Sequence, residues 1–217
     1  MRFPNAFRGV KKIWLAELLM LLAAVIGIIL VVVIAANSTL VGEEVVVNEA
    51  AVKTPGAILG IAAALVALVA FVLNLVGLIN AKNDDAAFRI ALLVTILGII
   101  VSAISAIWSD NTGLVKWMDT LTTIFSMFAS YYVLTGIANL ADKIPDAATK
   151  SLALKSRTLV EGSFCATAVF KLIISIFKIQ DGSTIYTILS IVALILELVS
   201  YILYLRALSK GKQMLSK

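Results

Sequence analysis

The residues that could do chemistry in this chain are charges set where a membrane helix has no ordinary use for them. Glu161, Lys171 and Glu197 lie inside two long apolar segments near the C-terminus, and Asp119 lies just inside another. A charge within the hydrocarbon costs several kcal/mol. It therefore faces the bundle interior or a wet cavity, and marks a pathway for protons, ions or substrate.

Depth follows from the helical rise of about 1.5 Å per residue. Lys171 lies ~12 Å and Asp119 ~7 Å below one surface of their spans. These two spans are consecutive, so Asp119–Lys171 is a predicted ion pair. It would fix the bundle, or serve as an outer gate or anion contact. Glu197 lies ~16 Å from the opposite surface, close to mid-bilayer, whereas Glu17 and Glu161 come within ~6 Å of that surface. Those two can reach headgroup water, Lys12 or Arg157. No basic residue matches Glu197 in depth. The polar groups available to it are Asn74, Tyr131, Tyr132 and Tyr201. Glu197 is thus a candidate proton or cation site, with a carboxyl hydrogen-bonded across helices as the plainer alternative.

Hydroxyls and small residues recur at spacings of three and four, which place them on one helical face. One stripe is Thr95, Gly98, Ser102, Ser105 and Ser109. A second is Asp119, Thr122, Thr123, Ser126 and Ser130, ending beside Tyr131 and Tyr132. A third is Ser183, Thr187, Ser190, Glu197, Tyr201 and Tyr204. Small and hydroxyl residues let helices approach closely, and that explains the first stripe. The second starts on a carboxylate and suits the wall of a partly wet cavity. The predicted ion or substrate pathway is therefore Glu197, Lys171, Asp119, Asn74, Ser126, Ser130, Tyr131 and Tyr201.

Other chemistries lack their residues. The chain has no His and a single Cys, Cys165, so the commonest general base, the commonest zinc ligand and any internal disulfide are missing. There is no serine-hydrolase triad and no phosphate-binding P-loop. Cys165 reads as a buried, inert thiol. Asp84-Asp85 reads as a helix cap before a divalent-ion site. No enzyme activity, cofactor, metal or nucleic-acid partner is expected. The expected partners are the bilayer, a small solute or ion, and a membrane protein or second copy of the chain.

The elements that must position these residues are apolar helices. The chain of 217 residues is 61% hydrophobic and only 14% charged, against roughly a quarter charged in soluble domains. The expected fold is all-α: one polytopic membrane domain over 1–217, with six transmembrane helices at about 13–36, 57–81, 87–108, 114–141, 156–179 and 183–208. Asn37–Thr54 is the longest connection, Pro55-Gly56 opens the second span, and Asp142–Lys155 is a polar loop. The basic N-terminus with Phe3 and Phe7 suits an interfacial anchor; a signal peptide is disfavoured by the length of the apolar run that follows.

Six spans put both termini on one side. Of the 18 Lys and Arg residues, only Lys53, Lys116 and Lys178 fall on the other side, with Lys171 inside a span. Basic flanks are cytoplasmic, so both termini are expected inside, in the plasma membrane. Trp108 and Trp117 then mark the outer interface and Trp14 the inner one. Leu21–Ile29 and Leu92–Ile100 share a pattern with the glycine in register, and Gly77–Asn80 parallels Gly136–Asn139. This hints at a duplicated hairpin, although such apolar matches also arise by chance.

In size and topology alone the chain is similar to the substrate-binding membrane subunits of energy-coupling-factor vitamin transporters. No shared motif carries a residue role across. The expected function is transporter or channel-like movement of an ion or small solute. A non-transporting subunit or scaffold is the alternative.

Overall fold

The computed structural model describes residues 2–41, 44–47, 49–108, 112–176 and 183–216. They form α1 (Pro4–Ala36), β1 (Ser38–Val41), β2 (Glu44–Val47), α2 (Glu49–Ala81), α3 (Ala86–Ile107), α4 (Thr112–Lys143), α5 (Ala147–Ile176) and α6 (Thr184–Leu215). Among the described residues five stretches are long and apolar enough to cross a bilayer: α1, Lys53–Ala81 of α2, α3, Trp117–Lys143 of α4, and α6; α5, where a span at 156–179 is expected, is not one of them. Their outward faces are apolar: Ile28, Val31, Ile58, Ile61 and Leu194 are each more than 60% exposed. In water each such side chain would forgo about 1.5–3 kcal/mol of burial. Lipid removes that cost, and the chain is a helical membrane protein.

The helices outrun the expected spans. α2 begins at Glu49, so Pro55 lies inside a helix rather than at its start. Its missing N–H leaves the Ala51 carbonyl without the usual helical donor. The Asn37–Thr54 connection is mostly structured: Ser38↔Val47 through Val41↔Glu44 pair as an antiparallel hairpin. The β-branched run Val45-Val46-Val47 carries the strand preference. α5 begins at Ala147, where Asp146 Oδ1 accepts from Thr149 N at 2.9 Å. Thr149 and Ala153 are buried, so the Asp142–Lys155 stretch is not simply a polar loop.

Two compact units result. One comprises Met1–Lys11 and Gly77–Lys217, the other Lys12–Val76. In the first, the buried core gathers at the end where the chain begins and finishes. Ala6, Val10, Phe88, Leu134, Ile137, Leu140, Leu208 and Leu215 are all sealed there. Glycines permit the contact. A Cβ at Gly136 would stand 2.6 Å from the Phe88 ring, and one at Gly211 would stand 3.0 Å from Ile137. A Cβ at Gly9 would meet the Gly77 carbonyl and Ala81.

The turn between α2 and α3 ties this end together. Asp85 is the N-cap of α3, in extended backbone, and accepts from Ala87 N at 2.9 Å. It also accepts from Asn139 Nδ2 at 3.2 Å and pairs with Lys143 Nζ at 3.2 Å, both on α4. Asp84 turns the other way. It accepts from Ala6 N at 2.6 Å and Asn5 Nδ2 at 3.2 Å, satisfying an orphan donor at the start of α1. Both carboxylates are thus structural.

The second unit holds most of α1 and α2 with the hairpin. A Cβ at Gly27 or Gly60 would meet nothing within 4 Å, whereas one at Gly98 would stand 3.3 Å from Phe125 Cβ. Gly27 and Gly98, matched in the apparent repeat, therefore have different surroundings.

Candidate functional site: a polar cleft between α3 and α4

The first and second hydroxyl stripes face each other. Ser102, Ser105 and Ala106 of α3 and Val115, Asp119, Thr122 and Thr123 of α4 line an open cleft of about 550 Å³. Ser102 Oγ and Thr122 Oγ1 lie 3.3 Å apart across it. The cleft is at the end of these helices away from the packed core, near the exposed Trp108 and Trp117. One turn below Ser102 the helices close together, where Gly98 meets Phe125. The result is an open polar recess that holds one carboxylate. Sequence alone assigned the α3 stripe to packing; its meeting with α4 is what makes it a wall.

Asp119 is exposed in this cleft, and its backbone carbonyl accepts from Thr123 Oγ1 at 2.9 Å. Such a recess can bind a small polar or cationic solute through one carboxylate and several hydroxyls, which both donate and accept. No group of three or more His, Cys, Asp or Glu side chains that could hold a metal occurs among the described residues.

The other expected site residues are distributed differently. Ser126 Oγ donates to Thr123 O at 2.9 Å and Ser130 Oγ to Ser126 O at 3.1 Å, so both hydroxyls serve their own helix. Tyr131 stacks edge-to-face on Tyr132, with centroids 5.1 Å apart, and the Arg157 guanidinium sits 4.9 Å over its ring. Glu197 is exposed and accepts from Thr167 Oγ1 of α5 at 3.2 Å, an α5 partner that sequence matching by depth had missed. It is neither sealed in packing nor among the residues lining the α3–α4 cleft. Tyr201 lies one turn further along α6 and is half-buried. Asn74 is half-buried on α2, in the other unit. The backbone of Lys171 is helical, but its side chain lies outside the described residues, as does the expected Asp119–Lys171 pair. Cys165 is exposed rather than buried.

No protein-family model, curated protein or solved structure matches this chain.

Proposed function

We propose that this protein is a six-span transporter or channel-like protein that takes a small polar or cationic solute into the α3–α4 cleft. The observation that carries this reading is the convergence of Asp119, Ser102, Ser105, Thr122 and Thr123 on one open recess in an otherwise apolar bundle. A carboxylate at that position is expensive unless it serves a wet site. In this reading the termini and their basic flanks face the cytoplasm of the plasma membrane, by the same charge asymmetry as above. The cleft then opens outward and the packed core closes the inner end. Glu197 with Thr167 is a second polar station between α5 and α6, suited to a proton or cation.

The test is solute or cation flux in proteoliposomes. Asp119→Asn is expected to abolish saturable flux while the protein elutes and melts as wild type. Unchanged flux would remove the cleft from the pathway.

The exposure of Glu197 favours a second reading, a non-transporting subunit whose α5–α6 face docks a partner helix. A lipid-facing carboxyl gains a donor when such a helix covers it. Flux by the isolated, monodisperse protein would count against it.

A further inference from the structure

We infer that Arg157 is an anion-binding residue at the level of the lipid headgroups, taking the phosphate of an anionic lipid. Three observations converge on it. First, its guanidinium is only partly satisfied. Nη1 donates to Thr135 Oγ1 at a long 3.4 Å, the face stacks on Tyr131, and Nε is buried with no hydrogen-bond partner. Among the described residues no carboxylate pairs with it. Glu161, one helical turn away, is where a helix surface pair would form, but the guanidinium lies against α4 instead. Nε stays inside the protein, so the donors this arginine can offer a phosphate are those of its Nη end.

Second, Arg157 stands on the border between the cationic end and the apolar belt. Along α5 the exposed residues pass from Lys155 to Leu159 on either side of it. The same change occurs on α3 between Arg89 and Leu93, and on α6 between Arg206 and Ile202. Cations flank the headgroup side of such a border. A side chain there meets lipid phosphate rather than bulk water or acyl chain.

Third, three acids at this end are already engaged by other partners. Asp84 and Asp85 are turned inward to Asn5, Ala6, Asn139 and Lys143, and Asp142 pairs with Lys150 at 2.6 Å. Arg2, Arg8, Lys82, Arg89, Arg206 and Lys210 remain exposed. The surface therefore draws anions, and basic residues at a membrane surface each add to the affinity for anionic lipid. The chemistry recognised is a phosphodiester without the choline cation that neutralises phosphatidylcholine, and the border position favours the lipid source over a free anion.

The experiment uses the full chain in nanodiscs of phosphatidylcholine, with or without phosphatidylglycerol, and reads melting temperature and lipids retained in native mass spectra. Wild type is expected to retain phosphatidylglycerol and melt higher in its presence. Arg157→Gln should lower retention by about tenfold, as loss of a charged hydrogen bond implies, and lose the added melting temperature. Lys155→Gln, next to it but outside the Tyr131 stack, should lower retention less than Arg157→Gln, by the general surface attraction alone; an equal fall in the two variants would overturn a specific Arg157 site. Inorganic phosphate in phosphatidylcholine discs separates the sources. Stabilisation by it equal to that by the lipid would overturn the lipid assignment in favour of a free anion. Equal lipid retention by Arg157→Gln and wild type would overturn the site. So would a fall in melting temperature identical in both disc types, because Arg157 would then serve packing only.

Discussion

The Thr167 hydroxyl of α5 donates to Glu197 Oε1 of α6 at 3.2 Å. This contact gives the carboxyl a partner on the neighbouring helix and leaves the residue exposed. A carboxyl with one donor and an open side can still exchange a proton or cation. A carboxyl that only joins two helices can be replaced by any acceptor.

That distinction is measurable. Glu197→Gln keeps an acceptor for Thr167 and should change stability by less than about 1 kcal/mol. If Glu197 carries protons or cations, the variant loses the pH dependence of flux in proteoliposomes while Thr167→Val retains it. If the two variants behave alike, the pair is only a helix clasp.

The cleft makes a separate prediction. Ser102→Ala and Thr122→Val each remove one side of the 3.3 Å hydroxyl contact across α3 and α4. Each should weaken solute binding several-fold, by about 0.5–1.5 kcal/mol, without the full loss expected of Asp119→Asn. Titration by calorimetry or flux kinetics would show this order; equal effects from all three would argue for a general disturbance of the α3–α4 contact.

Asp85 ties the start of α3 to α4. It caps α3, accepts from Asn139 and pairs with Lys143, and it is 8% exposed. Asp85→Ala removes the cap and leaves the Asn139 and Lys143 donors unmet, a cost of about 1–3 kcal/mol. The expected readout is a lower melting temperature in detergent, with Asp142→Ala, at an exposed surface pair, near wild type.

Gly136 and Gly27 should respond in opposite directions. A Cβ at Gly136 would stand 2.6 Å from the Phe88 ring, and one at Gly27 would meet nothing within 4 Å. Gly136→Ala should destabilise by about 1–3 kcal/mol through overpacking. Gly27→Ala should be neutral or stabilise by up to about 1 kcal/mol through helix propensity. Thermal melts of the two purified variants check the pair; a tolerated Gly136→Ala would mean that Phe88 can move aside.

The α3 and α4 hydroxyl stripes were legible from spacing, as was a capping role for one of Asp84 and Asp85, because both depend on residues near in sequence; the structure assigns the cap to Asp85. The partner of Glu197 was not legible. Depth matching compares distances from a helix end, and says nothing of which side of α6 faces α5. The hairpin was hidden for another reason. Val45-Val46-Val47 carries a strand signal, but it sits between two long apolar runs that dominate any reading by hydropathy. In the sequence, depth makes Arg157 only a neighbour that Glu161 can reach. The competing Tyr131 ring belongs to α4 and becomes visible only when α4 and α5 are packed.

The sequence by itself determined that this is a helical membrane protein, and broadly where its helices lie. Those properties depend on local apolar length and composition, which every residue carries along the chain. Tertiary structure alone decided which polar faces meet. It set Ser102 against Thr122 in a cleft holding Asp119, gave Glu197 to Thr167, and laid Arg157 over Tyr131. The physical reason is rotational: an apolar helix is satisfied by lipid on every side, so its sequence only weakly fixes the angle at which it turns. Close contacts such as Gly136 with Phe88 and Gly98 with Phe125 fix that angle, and with it the site.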